Sequence, residues 1–251
     1  MHTLDIARSL ASSVDQQGRG IATRGATRQP AEPLELYDME NCPFCRLVRE
    51  ALTELDLDVL IFPCPKGGER YRPLVENLGG KQLFPYLMDP NTGAALYESA
   101  DIIDYLYREY GGRAAASGWR LRARTLASLA ASLPRTGHGL HAHAATAPEQ
   151  PLVLYSFEGS PFARLVRERL CELQLPYLVR QCGRDQWQDW VLPPVRQALD
   201  MEYRPTQRHR KELLARTGRV AVPCLIDPNS GEELFESRRI LDYLTRTYQR
   251  A

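Results

Sequence analysis

Two cysteines three positions apart carry the clearest chemical signal in the 251-residue chain. The C-P-F-C motif of residues 42–45 follows a short β-rich run, and its proline fits the first position of a helix. At a helix N-terminus, unpaired backbone N–H groups and the helix dipole favour a thiolate over a thiol. Cys42 is therefore the expected nucleophile. Cys45, one turn into the helix, is expected to resolve a mixed disulfide on Cys42.

A zinc half-site is the alternative interpretation of this pair. The chain has six cysteines but no second C-x-x-C or C-x-x-H that would complete a four-ligand set. Three clustered histidines, His138, His141 and His143, lack a nearby carboxylate partner in the sequence, so we predict no metal site. Six cysteines are also too few for the disulfide framework of a secreted scaffold.

Charge and composition narrow the classes of partner and location. The chain has 32 basic and 31 acidic residues, a net charge of +1, so a nucleic-acid partner is not expected. Charged residues interrupt every apolar stretch of residues 1–33, which excludes a signal-peptide core, and the acidic ones disfavour an organelle transit peptide. We expect a protein of the reducing cytoplasm with no membrane association.

An internal repeat organises the chain. Residues 34–55 and 152–173 share 14 of 22 positions at an offset of 118, and residues 84–110 and 222–248 share 15 of 27 at an offset of 138. The second copy therefore holds 20 extra residues, which lie between Cys182 and Arg210 and include Trp187 and Trp190. We weigh two roles for this insertion: a lid or interface over the groove of the second unit, or a filler of local core.

The repeat sets the expected domain limits. Residues 1–33 are predicted as a prelude helix and linker, 34–112 as the first domain, 113–151 as a second prelude helix and linker, and 152–251 as the second domain. Residues 9–14 resemble 128–133, and the following glycines match at an offset of 119. We expect the two prelude helices to pack near each other or to bridge the two units.

Within each unit the pattern predicts strand, helix, strand, helix, strand, strand and helix. In the first unit the predicted elements are strand 34–37, helix 43–55, strand 57–62, helix 72–77, strand 85–88, a turn at 89–93 leading into a fourth strand, and helix 99–110. In the second unit they are strand 152–155, helix 161–173, strand 177–181, helix 208–216, strand 223–226, a turn at 227–231 leading into a fourth strand, and helix 237–248.

Two further features of the first unit are candidates for binding. Pro85 stands at the start of a strand, where a cis peptide bond would turn a backbone edge toward the thiols. A thiol substrate could then pair with that edge. Glu98 and Ser99 open the last helix, where Ser99 can cap the helix and free N–H groups can accept a carboxylate. A plain helix cap is the other interpretation of this pair.

A strand, C-P-F-C, a helix, a strand-initial proline and a Glu-Ser helix start resemble the thioredoxin fold of glutaredoxins and of the glutathione transferase N-terminal domain. The resemblance covers both units and includes C-P-K-G-G at 64–68 and D-P-N-T-G at 89–93. It implies an α/β protein of two tandem thioredoxin-like domains, each a four-stranded mixed sheet with flanking helices. It further implies that Pro85 is a cis-proline, that the backbone of Phe84 and Pro85 holds the cysteine of glutathione, and that Glu98 and Ser99 bind its γ-glutamyl group.

The second unit has lost the redox pair. Cys42 is replaced by Ser160 and Cys45 by Ala163, whereas Pro223, Glu236 and Ser237 keep the binding residues that the resemblance implies. Ser160 could donate a hydrogen bond to a glutathione thiolate, or the unit could be an inert scaffold. Cys224, next to Pro223, is a candidate for a stray reactive thiol. The remaining cysteines are expected as small core residues, namely Cys64, Cys171 and Cys182.

These observations predict a glutathione-linked thiol-disulfide oxidoreductase that reduces protein–glutathione mixed disulfides or small disulfides through Cys42, with glutathione as cosubstrate. One alternative is glutathione conjugation, or removal of a glutathionyl group from an organic electrophile; the lack of a sequence for the all-helical domain usual in transferases weakens it. A second is a non-catalytic glutathione-binding module, with an iron–sulfur cluster held between two subunits.

Overall fold

In the computed structural model of the protein, residues 20–115, 137–191 and 193–250 are described. The first unit contains β1 (Leu34–Asp38), α1 (Pro43–Glu54), β2 (Val59–Pro63), α2 (Arg72–Gly79), β3 (Tyr86–Asp89), β4 (Ala94–Tyr97) and α3 (Ser99–Glu109). The second contains β5 (Leu152–Ser156), α4 (Pro161–Glu172), β6 (Tyr177–Gln181), a 3₁₀ turn (Trp187–Trp190), α5 (Pro193–Ala198), α6 (Arg208–Thr217), β7 (Cys224–Asp227), β8 (Glu232–Phe235) and α7 (Ser237–Tyr248).

Apart from the 3₁₀ turn and α5, which lie in the insertion and which the sequence pattern does not predict, the element order matches the sequence prediction, with shifts of one or two residues at the ends. Two of these shifts reach two residues: α2 ends at Gly79 and not at Asn77, and β2 begins at Val59 and not at Leu57. Asp56 has a positive φ of 54°, and the Leu57 N–H returns to the Leu52 carbonyl at 3.0 Å, so the chain is still closing the preceding helix there. The strand β3 starts one residue after Pro85, because proline has no N–H to offer a ladder.

The eight strands form one continuous sheet in the order β4-β3-β1-β2-β6-β5-β7-β8. In each unit a central parallel pair is flanked by an antiparallel hairpin. The units join edge to edge, because β2 and β6 pair antiparallel with Val59 opposite Val179 and Ile61 opposite Tyr177. Joining two edges covers backbone groups that would otherwise invite other chains. The sequence predicts the two four-stranded sheets but not their union.

The apolar core is continuous across this junction. Fully buried aliphatic side chains from both units form one cluster, including Leu34, Leu36, Leu52, Leu152, Leu154, Leu170 and Leu173. In the first unit α1 packs against α3, and in the second α4 packs against α7. Both pairs contribute buried side chains to the cluster that the strands share. Among the described residues, no helix combines the length and the apolar character needed to cross a membrane.

The two linkers cross between the units. Ala22, which precedes the first unit, forms a parallel bridge with Arg184 of the second unit. His141, which precedes the second unit, forms the equivalent bridge with Lys66 of the first. The prelude helices predicted upstream of these bridges lie outside the described residues. The described segments that follow them connect the two units through these bridges, whereas the packing of the prelude helices themselves stays a prediction.

The insertion of the second unit is held together by hydrogen bonds to a buried carboxylate. Asp189 is buried in it and accepts a hydrogen bond from the Tyr203 hydroxyl at 2.6 Å. Trp187 is 67% exposed, and Trp190 is 49% exposed with the Arg184 guanidinium 4.6 Å from its ring centroid. These tryptophans therefore do not fill a local core.

Candidate functional site

Cys42 lies where the sequence places it, at the N-terminus of α1. It is the N-cap residue, with Pro43 at the first helical position, and its side chain is 8% exposed. Its Sγ accepts a hydrogen bond from the backbone N–H of Cys45 at 3.4 Å. The thiol thus occupies the position that a capping hydroxyl or carboxylate takes in other helices, facing the donors left unpaired by the first turn.

These donors make Cys42 acidic. The hydrogen bond from the Cys45 side chain is the largest effect, and the backbone N–H groups of Cys45 and Phe44 and the charge of Arg49 act in the same direction. Together they outweigh the burial of the sulfur and lower the pKa of Cys42 to about 7. At neutral pH about half of such thiols are ionised, against a few per cent for an ordinary cysteine with a pKa of about 8.5.

Cys45 has the opposite properties. It is fully buried, and burial together with its hydrogen bond to Cys42 raises its pKa well above the ordinary value. Cys45 therefore remains a thiol at neutral pH and can donate a hydrogen bond to the neighbouring sulfur. This division of roles between a thiolate and a thiol is what the C-x-x-C spacing at a helix start predicts.

The proline expected beside the thiols is in the expected conformation. The Phe84–Pro85 peptide bond is cis, and Pro85 is buried at the start of β3. Phe84 is half-buried, with the Arg72 guanidinium 4.8 Å from its ring centroid. Phe62 and Tyr71 line the same side of the sheet, with ring centroids 5.2 Å apart. The segment before β3 is thus fixed by aromatic packing.

Glu98 and Ser99 open α3, but their roles differ from the prediction. Glu98 is the N-cap residue, makes no side-chain capping hydrogen bond and leaves its exposed side chain free to meet a ligand. Ser99 is the first helical residue and is 9% exposed, so the prediction that Ser99 caps the helix is wrong. The helix begins at Ser99, as predicted, so the N-cap position falls on Glu98, whose φ of 65° is unusual for a non-glycine residue.

The second unit has the same helix start, cis-proline and glutamate, but it lacks the pair of cysteines. Ser160 is the N-cap of α4 and its Oγ accepts a hydrogen bond from the Ala163 N–H at 3.3 Å. The Val222–Pro223 bond is cis, and Glu236, which precedes Ser237 and α7, has a φ of 68°. A positive φ at a non-glycine residue costs about 1–3 kcal/mol, and such conformations are often found at functional sites. Its presence at both glutamates marks both helix starts as candidate binding positions.

A cavity of about 440 Å³ opens beside Pro223, between the start of α7 and the segment that leads into β7. The sequence does not reveal it. The described residues that line the cavity are Phe162 and several residues between 219 and 238. None of these lining residues belongs to the insertion. A lid over this cavity, one of the two roles weighed for the insertion, is therefore not formed by the described part of the insertion.

A buried charge network beneath the thiols was also missed from the sequence. Arg49 of α1 binds Glu158 of the second unit through Nε and Oε2 at 2.9 Å, and it also contacts Asp38 at the end of β1. Arg167 of α4 binds Glu40 of the first unit through Nε and Oε1 at 3.1 Å. A repeated pattern could have pointed to it, since both arginines recur at equivalent positions on helices that are otherwise largely apolar.

The four other cysteines are packed in the core. Burial raises the pKa of Cys224 to about 12, and it raises the pKa values of Cys64, Cys171 and Cys182 as well. Cys224 is fully buried, so the expectation of a stray reactive thiol there is not supported. Within the ranges that the structure describes, no group of three His, Cys, Asp or Glu side chains is arranged to hold a metal ion.

A comparison with protein-family models agrees with the fold of the two units. Residues 36–114 and 154–251 each match the family model described as glutathione S-transferase, N-terminal domain. These two matches cover more than half of the chain. The chain therefore belongs to the glutathione S-transferase N-terminal domain family, as a tandem of two thioredoxin-like domains. No curated protein matches it at a significant level.

Solved structures give partial matches. The chain is 30% identical to the Bombyx mori glutathione transferase BmGSTD1 over 34% of this chain and 39% of that one, with a TM-score of 0.30. It is 29% identical to a delta-class glutathione transferase of Nilaparvata lugens over 31% and 36% of the two chains, with a TM-score of 0.26. It thus spans well under half the length of these transferases. The trimeric Leishmania glutathione transferase TDR1 is 15% identical over 88% and 68%, with a TM-score of 0.31.

Proposed function

We propose that the protein is a glutathione-linked thiol-disulfide oxidoreductase with Cys42 as its nucleophile. The observation that carries the proposal is the position of this thiol at the N-cap of α1, where hydrogen bonds lower its pKa to about 7. A thiolate near its own pKa at ambient pH attacks disulfides efficiently, because it is abundant and still nucleophilic. Family membership supports glutathione as the cosubstrate.

The proposed reaction uses two thiol-disulfide exchanges. The Cys42 thiolate attacks the glutathione sulfur of a protein–glutathione mixed disulfide; the Cys42–glutathione bond forms, the original disulfide breaks, and the protein thiolate leaves and takes a proton from water. A second glutathione thiolate then attacks the adduct and releases oxidised glutathione and the Cys42 thiolate. Alternatively Cys45 loses its proton and attacks Cys42, which releases reduced glutathione and leaves an intramolecular disulfide that two glutathione molecules reduce.

The binding residues are proposed from the cis-proline segment before β3 and from the start of α3. The backbone of Phe84 and Pro85 would pair with the cysteinyl part of glutathione, as an added strand pairs with a sheet edge. Glu98 and Ser99, at the positive end of α3, would bind the charged γ-glutamyl end. In the second unit Pro223, Glu236 and Ser237 would offer an equivalent frame without a nucleophile. We also propose the domain limits 34–112 and 152–251 and a reducing cytoplasmic location.

The test is reduction of a glutathionylated protein by glutathione. Cys42→Ser should abolish the reaction, whereas Cys45→Ser should retain much of it, because glutathione itself can resolve the adduct. Comparable activity in wild type and Cys42→Ser would refute the proposal. Conjugation of glutathione to an organic electrophile in the absence of any disulfide would instead favour transferase chemistry. A brown purified protein that bleaches in Cys42→Ser would favour the iron–sulfur alternative.

A further inference from the structure

The buried network places a positive charge behind the pair of cysteines. Arg49 follows Cys45 by four residues on α1, a spacing that puts two side chains on one face of a helix. Helical side chains lean toward the N-terminus, so the Arg49 side chain leans back toward Cys45. Cys45 is fully buried and Arg49 is 4% exposed, so the charge of the guanidinium is only weakly screened at the sulfur.

The guanidinium of Arg49 is held from three directions. Its Nη2 donates a hydrogen bond to the Glu40 carbonyl at 3.0 Å, in the loop that leads to Cys42. Its Nη1 binds the Asp38 carboxylate at the end of β1, and its Nε binds Glu158 of the second unit at 2.9 Å. A planar guanidinium that makes all of these contacts is fixed in its orientation. The second unit therefore contributes to holding this charge in place.

Two of the three carboxylates around this guanidinium are shared with other arginines. Glu40 and Glu158 form ion pairs with Arg167 of α4 at 3.1 and 3.0 Å. Glu158 also lies 3.7 Å from Nε of Arg46 on α1. The negative charge of these two carboxylates is therefore divided among several guanidinium groups.

Asp38 and Arg49 form the part of the network that is specific to the unit with the cysteines. Of the described residues, only Arg49 forms an ion pair with Asp38. In the second unit the equivalent of Asp38 is Ser156, whose hydroxyl accepts a hydrogen bond from Arg167 at 3.2 Å. The arginine thus has an acidic partner in the unit that carries the cysteines and a neutral one in the unit that lacks them.

The negative charge moves from one sulfur to the other when the two cysteines react in turn. The resolving reaction needs a thiolate at Cys45, whose pKa is raised mainly by burial. The charge of Asp38 raises this pKa further, whereas the charge of Arg49 lowers it. Arg49 also lowers the pKa of Cys42, in addition to the stronger hydrogen bonds from Cys45. One buried cation therefore favours the thiolate at either sulfur.

We propose that Arg49 is a positioning residue of the resolving reaction: its charge, held in place by Glu158 of the second unit, favours the thiolate of Cys45. In this reaction Cys45 loses its proton to water and its sulfur attacks the sulfur of Cys42. The Cys42–Cys45 bond forms, the Cys42–glutathione bond breaks, and glutathione leaves as a thiolate that takes a proton from water. The inference rests on the proposed function in one respect, that glutathione is first bound to Cys42.

The test follows the Cys42–glutathione adduct directly. The reduced full chain is mixed with oxidised glutathione and quenched with acid, and mass spectrometry separates the adduct from the intramolecular disulfide that replaces it. We expect Arg49→Met to slow this conversion at least about tenfold, because a unit charge near a buried sulfur is lost. Arg167→Met is the matched control, since Arg167 is equally buried and binds Glu40 and Glu158 but lies on the helix without cysteines. It should leave the conversion rate close to that of wild type.

Asp38→Asn tests the same charge with Arg49 in place. The amide keeps the shape of the side chain, and its oxygen still accepts a hydrogen bond from the guanidinium. The variant removes the negative charge that opposes ionisation of Cys45, so we expect the conversion to become at least about twofold faster. A slower conversion would overturn the proposal, because Asp38 would then assist the reaction and Arg49 would not.

Equal slowing in Arg49→Met and Arg167→Met would also overturn the proposal, since the loss of either arginine would then act by loosening the interface. If Arg49→Met does not fold, the rate in Asp38→Asn decides. Failure of the proposed function is distinguishable, because the wild-type chain would then form no adduct. In that case the midpoint of Cys42 alkylation decides: it should rise in Arg49→Met and not in Arg167→Met, and an unchanged midpoint in both would refute the role of Arg49.

Discussion

Arg49 of the first unit and Glu158 of the second form a buried ion pair, with 2.9 Å between Nε and Oε2 and both side chains at most 5% exposed. The same relationship recurs with the units exchanged, since Arg167 binds Glu40 at 3.1 Å. The same arginine–glutamate pair therefore occurs twice in the interface between the two units. Glu158, from the unit without a redox pair, thus holds Arg49, which lies on α1, the helix that begins after Cys42.

Removing Glu158 should destabilise the whole chain. Glu158→Ala leaves Arg49 and Arg167 buried with less compensating charge, and breaking a buried pair from one side costs about 3–5 kcal/mol. Urea denaturation measures the change in free energy of unfolding. Asp104→Ala removes a partner of Arg108 in an exposed pair and should cost under about 1 kcal/mol. Similar losses in the two variants would show that the network does not stabilise the interface.

Acid should act on the same network. Burial would raise the pKa of Glu158, but Arg167 and Arg49 outweigh it and lower that pKa to about 2. An unfolded glutamate titrates near 4.3, so the stability that Glu158 contributes is complete above about 4.3 and is lost as pH falls toward about 2. Unfolding free energies measured across this window should fall with pH in wild type. The slope should be shallower in Glu158→Gln, and an equal slope would contradict the assignment.

Gly20 is predicted to be intolerant of a side chain. Its φ is 65°, and an added Cβ would meet the Cβ of Glu158 at 2.9 Å. Gly25 has a similar φ of 71° but open space around it, so it serves as the control for backbone strain alone. We expect Gly20→Ala to lower the melting temperature more than Gly25→Ala, by the equivalent of about 1–3 kcal/mol of overpacking. Equal effects would mean that the crossing linker is not tightly packed.

Cys45 is expected to control the acidity of its neighbour through a hydrogen bond. Cys45→Ala removes the side-chain donor and should move the pKa of Cys42 upward, toward the ordinary value of about 8.5. Cys45→Ser keeps a donor in place and should leave the pKa of Cys42 low. The pH dependence of Cys42 alkylation in the two variants measures the difference. A pKa equally low in both would assign the effect to the helix N-terminus alone.

Much of the fold could be predicted from the sequence because the internal repeat shows most elements in two copies. Each helix start, strand and turn is seen twice, and a pattern preserved in two copies marks what the fold requires. Pro43 and Pro161, or the turns at 89–93 and 227–231, are examples. The position of Cys42 at a helix start followed from the proline beside it, and the structure has the cysteine there.

What escaped prediction depends on contacts between distant segments. The pairing of β2 with β6 is a choice between two edge strands, and edge strands look alike in sequence. Arg49 and Glu158 are 109 positions apart, and each reads as an ordinary surface residue. The cavity near Pro223 is lined by Phe162 and by residues between 219 and 238, which come together only in the folded chain.

The most direct test of the account is the pH dependence of Cys42 alkylation by iodoacetamide in the wild-type chain, with the modified residue identified by mass spectrometry. We expect Cys42 to react first among the six cysteines, with a rate that rises with a midpoint near pH 7. A midpoint at about 8.5, the value of an ordinary thiol, or preferential modification of another cysteine would contradict it.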